Sequence, residues 1–184
     1  MSRKRVFMKG DRSDGRMERC PEPTIDQLVA HYHGDVYRYA FRLSGRVQDA
    51  EDLCQQVFLI AQQRLNQLRD PRSARAWLLA ITRSQYCRLC RRKRPILAED
   101  SEVALDAIAE EVPEEIDAEA LELALASLDN AHRTVLLMFY IEQMSYRSMA
   151  EELGVPIGTV MSRLSRAKAR LRQMVLSSEL AHGS

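Results

Sequence analysis

The sequence predicts an all-α protein of two small helical domains joined by an acidic linker, the C-terminal one a helix-turn-helix. Three observations predict it. Of 184 residues, 46% are hydrophobic and 29% charged, enough to build cores. Aromatics make up only 6%, and the chain is rich in Leu, Ala, Arg, Glu and Gln, which favour helices over a sandwich or barrel. Apolar residues recur at steps of three and four from Ile25 onward. Charge, finally, is segregated beneath a net of +1: Arg83 to Arg94 holds six basic residues and no acid, Pro95 to His132 holds twelve acids and no Lys or Arg, and Arg163 to Arg172 holds five basic residues and no acid. Two basic blocks separated by an acidic one suggest two contacts with a polyanion and a spacer that avoids it.

Taken in order, residues 1–22 read as a basic mobile arm, with seven basic residues and three acids between Met1 and Arg19 and almost nothing to bury. The first domain spans 23–94. Thr24 and Gln27 form a capping box, and Ile25, Leu28, Val29, Tyr32, Val36, Ala40 and Leu43 follow at helical spacing, with a break expected at Gly34 and a stop at Gly45. Asp49 is expected to start the next helix, with Glu51 and Asp52 in its first turn, where the helix dipole favours acids. Its buried stripe is Ala50, Leu53, Val57, Ala61 and Leu65. Arg69, Asp70 and Pro71 make a turn, and Ser73 is placed to cap a helix carrying Trp77, Leu78, Ile81 and Leu89 into Arg91, Arg92, Lys93 and Arg94, ahead of Pro95.

Residues 95–117 form the acidic linker. The second domain spans 118–176, with 177–184 as a tail. Leu121, Leu125 and Leu128 mark its first helix, Asp129 or Asn130 caps a second, and Ser145 caps a third that ends at Leu153 and Gly154. Pro156 opens a fourth, whose buried stripe is Val160, Leu164, Ala167 and Leu171.

The stretch from Ser145 to Lys168, SYRSMAEELGVPIGTVMSRLSRAK, has the order of a helix-turn-helix: a helix, a short turn containing glycine, and a basic second helix. The face opposite the buried stripe offers Thr159, Ser162, Arg163, Arg166 and Arg170, whose N-terminal members suit base edges in a major groove. Lys168, Arg170 and Arg172 lie further along and suit phosphates. Cys87 and Cys90 form a CxxC, readable as a metal or redox site or as small buried hydrophobes. With no second CxxC the latter is preferred, and no metal or cofactor is expected. An enzyme is not indicated either: no phosphate-cradling glycine loop occurs, and His31 and His33 point to different helix faces. The longest apolar run, Val135 to Ile141, is seven residues, too short to span a membrane, and no apolar segment follows the basic N-terminus, so a cytoplasmic protein is expected.

These motifs resemble the extracytoplasmic-function (ECF) group of bacterial sigma factors. Ser145 to Arg172 is similar to the signature of their C-terminal module, Asp49 to Leu59 (DAEDLCQQVFL) to a segment of their N-terminal one, and Ala74 to Ser84 more loosely to another. The resemblance implies an initiation factor that binds core RNA polymerase, at the largest-subunit clamp and the flap of the second subunit, and promoter DNA. It also implies an anti-sigma protein as regulator, with no direct insertion of the chain into a membrane. By resemblance, Asp49, Asp52, Gln55 and Gln56 would dock on the polymerase. Arg69, Arg72, Arg83, Ser84, Arg88, Arg91 and Arg92 would hold the −10 element, and Thr159, Ser162, Arg163, Ser165, Arg166, Lys168 and Arg170 the −35 element. Three positions depart from the pattern: Ser84 stands where Asn is usual, Arg88 where Asp is often found, and Met161 at a recognition-helix position that is often Arg. A helix-turn-helix regulator acting without polymerase is the rival reading, and it leaves the first domain without a role.

Overall fold

Thr24 opens the first helix as its sequence predicts: its hydroxyl accepts from the Gln27 amide at 3.3 Å while the Gln27 side chain accepts from the Thr24 amide at 3.0 Å. The computed structural model describes residues 23–93 and 118–182, so the arm 1–22, the linker 95–117 and Cys20 lie outside the described residues. Within them every α-helix and short 3-10 turn belongs to one of two helical clusters, and no strand occurs.

Helix α1 runs from Ile25 to Ser44 without the break expected at Gly34. A glycine inside a helix costs about 1 kcal/mol relative to alanine. Burial of Leu28 on one side and of Val36, Tyr39, Ala40 and Leu43 on the other outweighs that. Gly45 ends the helix at φ 70°, a left-handed position in which its amide reaches the Phe41 carbonyl at 2.7 Å.

Helix α2, Val47–Gln63, starts two residues before the expected Asp49. Its cap is Arg46, whose side chain makes no capping bond, and Asp49 sits instead inside the first turn, where an acid is equally favoured. Ala50, Leu53, Val57 and Ala61 are buried as a stripe, whereas Leu65 passes into a short 3-10 turn and packs beside Leu28, Leu68, Ala74 and Trp77. The next turn, Pro71–Ser73, is capped by Asp70, which accepts from the Arg72 amide at 3.0 Å. The expected cap, Ser73, turns its hydroxyl back to the Asp70 carbonyl at 2.7 Å. A carboxylate one residue before proline reaches the free amides first. Helix α3 then runs from Ala74 to Lys93.

In the second domain α4 is Ala118–Ser127, and α5, Asn130–Tyr140, is capped by Asp129 through the His132 amide at 3.0 Å. Helix α6, Tyr146–Leu153, is capped by Ser145 and closed by Gly154 at φ 66°. Helix α7 extends from Ile157 to His182, so the stretch from 177 onward, expected as a tail, is helix as far as 182. Leu125, Leu128, Val135, Met138, Met149, Val160, Leu164 and Ala167 form the core between them.

The two domains pack on one another. Leu137 is buried in the first domain's core and Ile141 packs against it, although both belong to the second domain. Arg42 meets Glu122 at 2.7 Å, and the Tyr86 hydroxyl donates to Asn130 at 2.9 Å.

Candidate nucleic-acid and polymerase interfaces

The residues expected to dock on the polymerase share the outer side of α2. Asp52, Gln55 and Gln56 are exposed and Asp49 is half-buried, because the opposite stripe is committed to the core. Beside them stands Leu59, 60% exposed and one turn beyond Gln55 and Gln56. The sequence reading passed over it, yet its phase was legible: a stripe at 50, 53, 57 and 61 turns 59 outward.

On the second surface, Arg69, Ser84 and Arg88 are exposed, the last two a turn apart on one face of α3, with Arg91 and Arg92 in the final turn of the same helix. Arg72 is exposed and held at 3.2 Å by Asp70, whose carboxyl its hydrogen bonds keep below the usual carboxylate range. Arg83 is not among the exposed residues. One residue before Ser84, it lies about 100° round the helix and is only 3% exposed. Its guanidinium pairs with Glu142, beyond the end of α5, and with Glu152 of α6 at 3.1 Å. Tyr39 donates its hydroxyl to the same Glu142. Burial works against charge on Arg83, but the hydrogen bonds to Glu142 and Glu152 outweigh it and hold its proton more tightly than usual. Burial and the Glu142 charge push the Tyr39 phenol well above its ordinary range. In this closed arrangement Arg83 faces the second domain, so any contact with DNA requires the domains to part.

The third surface is the outer side of α7. Thr159, Ser162, Arg163, Ser165 and Arg166 are half-buried along its first half, while Lys168 and Arg170 are exposed. The Ser162 hydroxyl donates to the Thr159 carbonyl at 3.0 Å. The Lys168 ammonium lies 4.8 Å from the Phe139 ring centre and 5.4 Å from that of Tyr140, a cation–π contact that docks α7 on α5. Arg170 reaches Asp129 at 3.0 Å. The cluster therefore presents one face to solvent, with its C-terminal cations partly engaged at home.

Sequence reasoning missed the contacts between the domains. Arg133, 5% exposed, donates to the carbonyls of Leu125 at 2.8 Å, Ala126 at 2.6 Å and Leu128 at 2.6 Å, and across to Leu43 at 2.8 Å. A signal was present: α4 ends without a glycine, and an arginine follows just ahead of the apolar run that begins at Val135. Helix-end carbonyls without a backbone cap need such a donor. Cys54 is buried, Cys87 and Cys90 are half-buried, and among the described residues no three His, Cys, Asp or Glu side chains gather as metal ligands would. No helix among them is long and apolar enough to cross a membrane.

Comparison with known proteins gives these surfaces a context. Residues 28–96 match the family model for Sigma-70 region 2, and 118–171 that for Sigma-70, region 4. The ECF RNA polymerase sigma factor SigE of Mycolicibacterium smegmatis is 34% identical over 180 residues, covering 93% of this chain and 70% of the relative. The ECF sigma factor SigW of Bacillus subtilis is 28% identical over 174 residues, covering 87% and 93%. Among solved structures, the sigma factor RpoE in complex with the anti-sigma factor NepR from Bartonella quintana has the same fold, with a TM-score of 0.57 at 24% identity over 81% of this chain and 94% of that one.

Proposed function

Since the chain belongs to the ECF sigma factors of RNA polymerase and is an alternative sigma factor that directs transcription initiation, we propose which of its surfaces does which part of that work. The outer side of α2, with Asp52, Gln55, Gln56 and the exposed Leu59, docks on the core enzyme, and Asp49 supports it. Arg69, Arg72, Ser84, Arg88, Arg91 and Arg92 take the −10 element, where an opened strand exchanges base stacking for protein contacts and basic side chains hold its phosphates. The first half of α7 enters the major groove at the −35 element. The protein is an initiation factor and not a catalyst, works in the cytoplasm, and is restrained by an anti-sigma protein like the one bound to its structural relative.

The observation that carries this reading is that two basic surfaces, one around the exposed Arg88 on α3 and one on α7, belong to two domains whose contact buries Arg83. Each is too small for tight binding alone, and together they gain from linkage on one template. The full chain added to core polymerase on supercoiled templates with randomised promoter regions should give transcripts from one discrete class. The free chain should bind those promoters weakly. Absence of promoter-dependent transcript with any bacterial core, or tight specific binding by the free chain, overturns the reading. Within it, Arg166→Ala should flatten preference at one or two −35 base pairs by about 1–3 kcal/mol, the value of an arginine–guanine contact.

A further inference from the structure

The solvent face of α7's first turns carries an apolar side chain where base edges would be read. Val160, Leu164 and Ala167 turn into the core. Met161, next to that stripe, is 48% exposed. Its neighbours a turn away are Gly158 and Ser165, both small, and Ile157, itself 49% exposed at the start of the helix. A Cβ at Gly158 would meet nothing within 4 Å, so that side of the helix lies open to solvent. The polar groups around it are less free. The Ser162 proton is given to the Thr159 carbonyl, and the Arg166 Nε is buried within the domain. The longest exposed apolar side chain at the front of the helix is therefore a thioether.

Resting on the reading that α7 enters the −35 major groove, we propose that Met161 is a specificity-determining residue that packs on the C5 methyl of a thymine there. Base edges in that groove are hydrogen-bonding groups with one exception, the thymine methyl, so an apolar reader has one attractive partner. Adenine, guanine or cytosine at the same step would lose water from a polar edge against a group that returns no hydrogen bond. Methionine suits the contact because its unbranched, polarisable side chain adapts to small differences in groove shape. Lys168, two turns on at the same side of α7, and Arg166, further round it, supply the positive charge that seats a helix on phosphates.

Deoxyuridine pairs as thymidine does and lacks only the methyl, so it isolates the contact. The −35 element would first be recovered with holoenzyme from a randomised library. Each thymine in it would then be replaced singly by deoxyuridine and holoenzyme binding measured for the wild-type chain, Met161→Ala and Met161→Leu. One thymine should weaken binding about fourfold on losing its methyl, the factor expected for one buried methyl group. Met161→Ala should bind thymine and uracil forms alike, and Met161→Leu should keep the preference. Equal binding of all substituted elements by the wild type, or an unchanged thymine-to-uracil ratio in Met161→Ala, overturns the proposal and assigns the exposed methionine to a protein partner instead. Failure of any −35 sequence to enrich would strike the promoter-reading function itself.

Discussion

Two buried arginines join the domains, and they do so differently. Arg133 is held by four backbone carbonyls, three of them in its own domain and one, Leu43, at the end of α1. Arg83 is held by two carboxylates, both of them in the other domain. Carbonyls at a helix end need a donor whenever the helix exists, so Arg133 belongs to the fold of the second domain and touches the first only in passing. The partners of Arg83 are supplied by closure alone. A buried ion pair adds little net stability over an apolar contact, but removing one partner is costly while the other stays buried. The difference teaches that Arg133 makes a domain and Arg83 makes an arrangement of domains.

Truncating the first should therefore have the largest effect. Arg133→Ala takes the guanidinium from the Ala126 and Leu128 carbonyls, while Leu125 keeps the Leu128 amide, and at about 1–3 kcal/mol for each buried group left unpaired, the second domain should melt well below the first in calorimetry. A single shared transition, little shifted, would remove the distinction. Glu142→Gln comes next. It leaves Glu152 as the one carboxylate on the buried Arg83 charge, and the molecule can relieve the loss by opening. The expected loss of about 3 kcal/mol should appear as a larger radius in solution scattering, with the melting of each domain unchanged. Tyr39→Phe sharpens the comparison: it deletes one hydrogen bond to the same carboxylate and keeps the ion pair, so opening should be shifted by about 1.5 kcal/mol, less than for Glu142→Gln.

The smallest effect is a pH dependence. Burial raises the Asp129 pKa, but the His132 amide and side chain and the Arg170 charge outweigh it and hold the carboxyl below its usual range. A depressed pKa contributes stability above the unfolded value, near 3.9, and loses it as pH falls through the folded one. The melting-temperature gap between wild type and Asp129→Asn should therefore be constant at neutral pH and narrow below about pH 4. A gap that does not change with pH would leave only the neutral capping bond.

Local chemistry was legible in the chain and long-range pairing was not. Thr24, Gly45, Ser145 and Gly154 end their helices where the sequence places them, because caps act within four residues. Gly34 and Asp49 misled for the same reason in reverse: a propensity or a capping preference of about 1 kcal/mol yields to burial of several large side chains. The face of α7 could be read from the stripe Val160, Leu164 and Ala167. Arg83 could have been placed as well, since it lies between buried Leu79 and Tyr86 at helical spacing on α3. Its partner could not. Glu142 lies 59 residues away in a turn, and no period in the sequence joins an arginine on one helix to a carboxylate beyond the end of another.

Glu142 also offers Arg83 the same thing a nucleic-acid strand would, an oxygen anion able to accept from a guanidinium. A rival anion in solution must therefore displace one that is tethered to the same molecule, and tethering of this kind corresponds to a local concentration on the order of millimolar. While the domains stay closed, Arg83 is only 3% exposed and keeps its two carboxylates inside the molecule, so nucleic acid in solution meets this arginine already paired.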